Sequence, residues 1–164
     1  IKRYADAFEK DENVIAEPVL KDARLSMTDR IMGMQWTMKD ILDQDIARML
    51  GEAEKALTNS EFFRLGDSFR ILADDSDVTR KIFQNFPKEN VYSSGLAKIR
   101  IQVPEQNRAD VVSYVTEILH RNGIDLVDAL FSRDGIVLIL KEDQAPIAYE
   151  KLRTEIPRTK ENGV

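Results

Sequence analysis

Histidine occurs once in this chain, at position 120, and cysteine does not occur. A His-based metal cluster and a Ser-His-Asp triad therefore cannot be assembled within one chain, and thiolate chemistry and disulfides are excluded as well. His120 falls near the end of a helical pattern, where the helix dipole favours a cation, and reads as structural. Asp74, Asp75 and Asp77 offer the oxygen ligands that hard cations prefer. They lack the spacing and glycine of an EF-hand loop, and they stand just before a helical pattern, so capping of free amide hydrogens is the better account. Trp36 with Met32, Met34 and Met38 would make an adaptable apolar pocket, because methionine reshapes easily, with core packing as the plainer reading. No P-loop, GxGxxG, GxSxG or HExxH pattern occurs in the sequence. The expectation is a protein that is not an enzyme, with no catalytic residues, no metal and no cofactor.

The 164 residues are 43% hydrophobic and 32% charged, enough for one substantial core or two small ones facing each other. A net charge of −5 disfavours a broad basic surface for nucleic acid, which is bound through many Lys and Arg contacts. No apolar run reaches the roughly 18 residues of a membrane span. With cysteine absent as well, a cytoplasmic location is expected. The sequence begins at Ile1 rather than Met, with no signal-peptide pattern after it, as expected of a fragment whose true start lies upstream.

The elements that would position these residues are written twice. "GDSFRILADDSDVTRKIFQN", from Gly66, and "RDGIVLILKEDQAPIAYEKL", from Arg133, share the order Asp, small residue, apolar run, acidic pair, helix, and Asp67 and Asp134 lie 67 residues apart. The same offset lays "AKIRIQVPE" (97–105) over "RIMGMQWTM" (30–38). Ile99, Ile101 and Val103 alternate with Lys98, Arg100 and Gln102, the period of two that buries one face of a sheet, and Met32, Met34 and Trp36 take the same places in the first copy. Helical spacing follows in each, through Leu42, Ile46, Met49, Leu50 and Ala53, and through Val111, Val112, Val115, Ile118 and Leu119. Strand pairs come next: "EFFRL" with "SFRILA", turning at Gly66 and Asp67, and "IDLVDALF" with "GIVLILK", turning between Ser132 and Gly135. Final helices start at Asp75, Ser76 and Asp77, and at Asp143 with Pro146 shortly inside. "NVY" (90–92) supplies a fourth strand to the first copy, and the C-terminal "RTKENGV" either frays or supplies one to the second.

This pattern predicts an α+β fold of two ferredoxin-like βαββαβ repeats with antiparallel sheets, at residues 24–95 and 96–164, after a short N-terminal helix or linker at 1–23. "GIVLILK" has no aromatic residue, unlike the base-stacking strand of an RNA-recognition motif on the same plan. Its continuous apolar run predicts that both faces are covered, one by helices and the other by a second sheet.

Residues 104–126, "PEQNRADVVSYVTEILHRNGIDL", resemble the ACT domain, a small-molecule-sensing module of amino-acid metabolism. Val111, Val112, Val115 and Leu119 match its helix, and Gly123, Ile124 and Leu126 match the start of its second strand. The resemblance covers residues 96–156 directly and 27–92 through the repeat. As a whole the chain resembles tandem ACT-domain proteins known mainly from archaea. The likeness implies ligand contacts in the loop Glu105, Gln106, Asn107, Arg108, Ala109 and Asp110, with Asp125 across from it. On that reading Arg108 pairs with a ligand carboxylate and Asp125 with an ammonium. Asp110 stands where the family has Gly, Ala109 replaces Pro, and Asp125 stands where many members have Asn. An acylphosphatase shares the fold class, but the glycine-poor "PEQNRAD" is a poor phosphate cradle.

The resemblance implies a non-catalytic regulatory protein that senses a small polar metabolite, an amino acid foremost, and dimerises through its ACT-like modules. The alternative is a structural dimerisation or partner-docking module without ligand. In "IKRYADAFEK", Tyr4, Ala5 and Phe8 suit one helix face and Lys2, Arg3 and Lys10 the other. The plainer reading is an amphipathic linker. The sharper one is the tail of a helix-turn-helix unit, which would make the chain the effector part of a transcriptional regulator, touching DNA only through an upstream region.

Overall fold

A computed structural model describes residues 19–37, 39, 44–86, 91–104, 108–132 and 135–156. Ten elements follow in order: β1 (Arg24–Thr37), α1 (Gln44–Ala56), β2 (Glu61–Leu65), β3 (Ser68–Asp74), α2 (Asp77–Gln84), β4 (Val91–Gln102), α3 (Arg108–Arg121), β5 (Asp128–Ser132), β6 (Gly135–Lys141) and α4 (Ala145–Glu155). Strand, helix, strand, strand, helix thus occurs twice. The strands form one antiparallel sheet in the order β2-β3-β1-β4-β6-β5.

Two long central strands tie the halves together. Along β1, residues 31–37 pair with β3, while Arg24, Ser26 and Thr28 lie opposite Gln102, Arg100 and Lys98 of β4. Of "NVY", Val91 and Tyr92 do add a strand to the first half, opposite Gln35 and Met34, with Asn90 outside the described residues, but that strand continues unbroken into the one expected to open the second half. The strand beside residues 96–102 comes from residues 24–28, the start of the first repeat, rather than from the C-terminus. "RTKENGV" lies outside the described residues. The register of β1 shifts on either side of Ile31, and Arg30 there takes φ 53°. The Arg30 carbonyl accepts the Asp75 N–H at 2.7 Å, fixing this bulge to the β3–α2 connection.

Alternation along the strands builds three cores. Ala97, Ile99, Ile101, Ile136, Leu138 and Leu140 face α3 and α4, whose Val111, Val115, Ile118, Leu119, Ala148 and Leu152 complete that cluster. Leu20, in the segment expected to belong to neither copy, is fully buried there too. Met32, Met34 and Trp36 join Ile71, Ala73, Phe83 and Phe86 as core, while Met32 and Met34 also border an open groove of 430 Å³ beside Asp75, Arg80 and Phe83. The Trp36 ring centroid lies 4.7 Å from that of Phe86. Met38 and Leu42 lie outside the described residues. The third cluster uses the opposite sheet face: Ile31, Leu72, Leu96, Val137 and Ile139, flanked by Phe63 of β2 and Leu130 of β5.

That third cluster requires the sheet to fold over itself. In a flat sheet β2 and β5, five strand spacings apart, would be separated by about 24 Å. Here residues from both edge strands pack on one cluster, and Arg70 of β3 bonds Asp128 of β5. The run "GIVLILK" is buried on both faces as expected, but its second face is covered by the other half of its own sheet rather than by a second sheet.

The hairpin and cap chemistry is local. Leu65 pairs with Ser68 across a two-residue turn with Gly66 at φ 59°. Gly135, at φ 144°, closes the second hairpin opposite Ser132, and a Cβ on it would stand 2.4 Å from the Ile101 carbonyl oxygen. Ser76 caps α2, its Oγ accepting the Thr79 N–H at 3.2 Å. At α4 the cap residue is Gln144 rather than Asp143, with Pro146 in the first turn. The Gln144 side chain turns away from the helix and accepts the Asp125 N–H at 3.2 Å. No helix among the described residues is long and apolar enough to cross a membrane.

Candidate functional site

The crease between the two halves of the sheet is apolar along most of its length and charged toward both ends. Glu61 opens β2 and Asp128 opens β5, 67 residues apart, so the repeat places a carboxylate at the same point of each half. Each reaches across the crease to cations on the other half. Asp128 accepts from Arg70, which also donates from Nε to Gln35 Oε1 at 3.1 Å and lies over the Phe63 ring at 5.7 Å. Glu61 accepts from Arg100 and, at 3.3 Å, from Lys98 Nζ. Lys98 is 6% exposed and donates a second bond to the Asn59 carbonyl at 2.9 Å.

Lys98 and Arg100 reach the crease because Ile99 and Ile101 take the opposite, helix-facing side of β4. Thr28 and Ser26, directly across from them on β1, share their face. With Asn59, Ser60 and Glu61 closing from the other half, these residues line a cavity of 210 Å³ that contains no apolar side chain. Thr28 and Asn59 also border an adjoining open groove of 640 Å³ that runs past Asp29, Arg30, Asp74, Asp75, Asp77 and Arg80. In that groove Arg80 Nε donates to Asp75 Oδ1 at 2.7 Å, and Asn59 donates to Asp74 Oδ2 at 2.8 Å. The hydrogen bond from Arg80 holds the Asp75 carboxyl below its ordinary range, with the charges of Arg80 and Arg30 acting in the same direction against some desolvation. Among the described residues no group of three or more His, Asp or Glu side chains is placed to hold a metal ion.

The residues singled out from sequence are distributed differently. Glu105, Gln106 and Asn107 lie outside the described residues, while Arg108 and Ala109 open α3. Asp110 is exposed in the first turn of α3, and Asp125 is exposed ahead of β5. Neither lines the crease cavity or its groove. His120 is exposed in the last turn of α3. Reading Lys98 and Arg100 only as the polar side of an alternating strand missed the crease site, although the 67-residue offset that matches the hairpins also matches Glu61 to Asp128.

No family model matches the chain, and no curated protein matches it by sequence. Its structure is similar to regulatory portions of aspartate kinases. The regulatory subunit of the Thermus thermophilus enzyme, solved free of ligand, superimposes with a TM-score of 0.59 at 11% identity, over 81% of this chain and 96% of that one. Aspartate kinase of Clostridium acetobutylicum, described as an allosteric enzyme, gives a TM-score of 0.66 at 8% identity over 80% of this chain. E. coli aspartokinase III in complex with lysine and aspartate gives 0.60 at 12% identity over 87%. This chain spans about a third of those two kinases, 33% and 34% of their lengths. At such identities the likeness establishes the fold alone, an ACT-type arrangement.

Proposed function

We propose that this chain is a non-catalytic regulatory module that senses a small polar metabolite, an amino acid foremost. The observation that carries the reading is the fold, shared along most of the chain with a separately solved regulatory subunit. A polar cavity at the junction of the two halves supports ligand sensing over a partner-docking module without ligand. The proposal includes two ACT-like repeats at 24–95 and 96–164, dimerisation through them, a cytoplasmic location, and service as the effector part of a transcriptional regulator through an upstream DNA-binding region. It also keeps the loop Glu105, Gln106, Asn107, Arg108, Ala109 and Asp110, with Asp125, as a ligand-contact region implied by the ACT resemblance.

Thermal-shift screening and calorimetry against the twenty amino acids test it. A saturable rise in melting temperature with at least one of them at or below millimolar concentration is the expected result. No stabilisation by any amino acid at that concentration removes the amino-acid reading.

A further inference from the structure

We infer that the crease cavity beside Lys98 and Arg100 is a carboxylate-binding site, the inner part of the small-molecule site that the sensing reading requires. The inference deepens that reading and rests on it for the choice of ligand class, while its own warrant is the charge in the crease. The clamp at the other end is balanced, one cation on one carboxylate, Arg70 on Asp128. At this end Lys98 and Arg100 share Glu61, two cations on one carboxylate.

Stability gives no reason for the surplus. A nearly buried ammonium carries a desolvation penalty that an apolar side chain avoids, and neighbouring positions on the same crease face are held by Leu96, Val137 and Ile139. Lys98 has three N–H donors, and among the described residues two acceptors meet them, Asn59 O and Glu61 Oε1. An incoming carboxylate supplies both the missing acceptor and the missing negative charge, with the Ser26, Thr28 and Ser60 hydroxyls at the same cavity as further donors. A volume of 210 Å³ corresponds to about seven waters, room for a carboxylate and several attached atoms.

The adjoining groove indicates what is attached. Beyond Thr28 and Asn59 it is predominantly acidic, with Asp29, Asp74, Asp75 and Asp77 against Arg30 and Arg80. A molecule with its carboxylate on Lys98 and an ammonium in that groove meets the complementary charge at both ends, which describes an α-amino acid zwitterion.

The test is calorimetry on the whole chain and on Lys98→Met, Arg100→Gln and Glu61→Gln. The probes are the twenty amino acids and three carboxylates lacking an ammonium: acetate, pyruvate and succinate. The expected result is an amino acid that binds wild type and is weakened about tenfold or more by Lys98→Met and less by Arg100→Gln. Glu61→Gln, which removes the competing carboxylate, is expected to strengthen binding several-fold. Loss of a whole clamp carboxylate by a merely structural residue would not tighten a ligand, so this arm separates binding from folding. Should Lys98→Met fail to fold, by circular dichroism, Arg100→Gln and Glu61→Gln decide the question. An amino acid that binds all four proteins equally overturns the crease site and leaves sensing intact. Binding of the plain carboxylates alone, lost in Lys98→Met, supports the site and overturns amino-acid sensing. No binding by any probe at about 10 mM overturns both.

Discussion

The fold of the sheet on itself makes a quantitative claim about Arg70 and Asp128. In a flat sheet β3 and β5, four spacings apart, would stand about 19 Å from each other, so their ion pair exists only while the crease is closed. The side chains are 26% and 19% exposed, between a surface pair worth under about 1 kcal/mol and a buried pair whose breakage costs about 3–5 kcal/mol. Replacement of Asp128 by Asn leaves Arg70 bonded to Gln35 and stacked on Phe63. Replacement of Arg70 by Met leaves Asp128 accepting its neighbour's N–H, Ala129, at 2.8 Å. Because each partner keeps other contacts, each single change is expected to cost about 2 kcal/mol and the double change about 2–3 kcal/mol, a coupling of about 1–2 kcal/mol. Urea unfolding of the four proteins at low and high salt measures it, with the coupling shrinking only modestly in salt because the pair is largely shielded from solvent. A coupling below about 0.3 kcal/mol would refute the reasoning and leave closure to the third apolar cluster and the Glu61 clamp.

Three further substitutions test other parts of the frame. Gly135→Ala puts a Cβ 2.4 Å from a backbone oxygen at φ 144° and is expected to cost about 3 kcal/mol or more in urea unfolding, whereas Gly51→Ala in α1, where a Cβ meets nothing within 4 Å, is expected to gain about 0.5–1 kcal/mol; equal effects would contradict both placements. Tyr114 donates to Glu155 Oε2 at 2.7 Å, joining α3 to α4, and that bond first, then burial, raises the Tyr114 hydroxyl above its ordinary value of 10.0. A folded-state value above the unfolded one means that the contribution is fully present below pH 10 and fades as pH rises through the raised value. Tyr114→Phe is therefore expected to cost about 1 kcal/mol at pH 7 and to show a shallower fall in stability above pH 10 than wild type; parallel alkaline profiles would remove the bond from the account.

Local pattern alone determined the elements. The period of two in Ile99 and Ile101 specified the second half of β4 but not its unbroken continuation back to Val91, helical spacing specified α3, Gly66 and Gly135 marked the hairpins, and the 67-residue repeat established that the order recurs. These follow because secondary structure depends on neighbours within a few residues and on which side chains avoid water. The pairing of residues 24–28 with the second half was decided only in three dimensions, since nothing within that short stretch distinguishes one sheet edge from another. The same holds for the crease. Lys98 and Arg100 alternate with apolar residues as a solvent-facing row would, yet Lys98 is nearly buried, because the sheet folds back and sets Glu61, 37 residues away in sequence, against it. A side chain's water-facing or buried character on an alternating strand is a property of whatever covers that face, and here the cover is the other half of the same sheet.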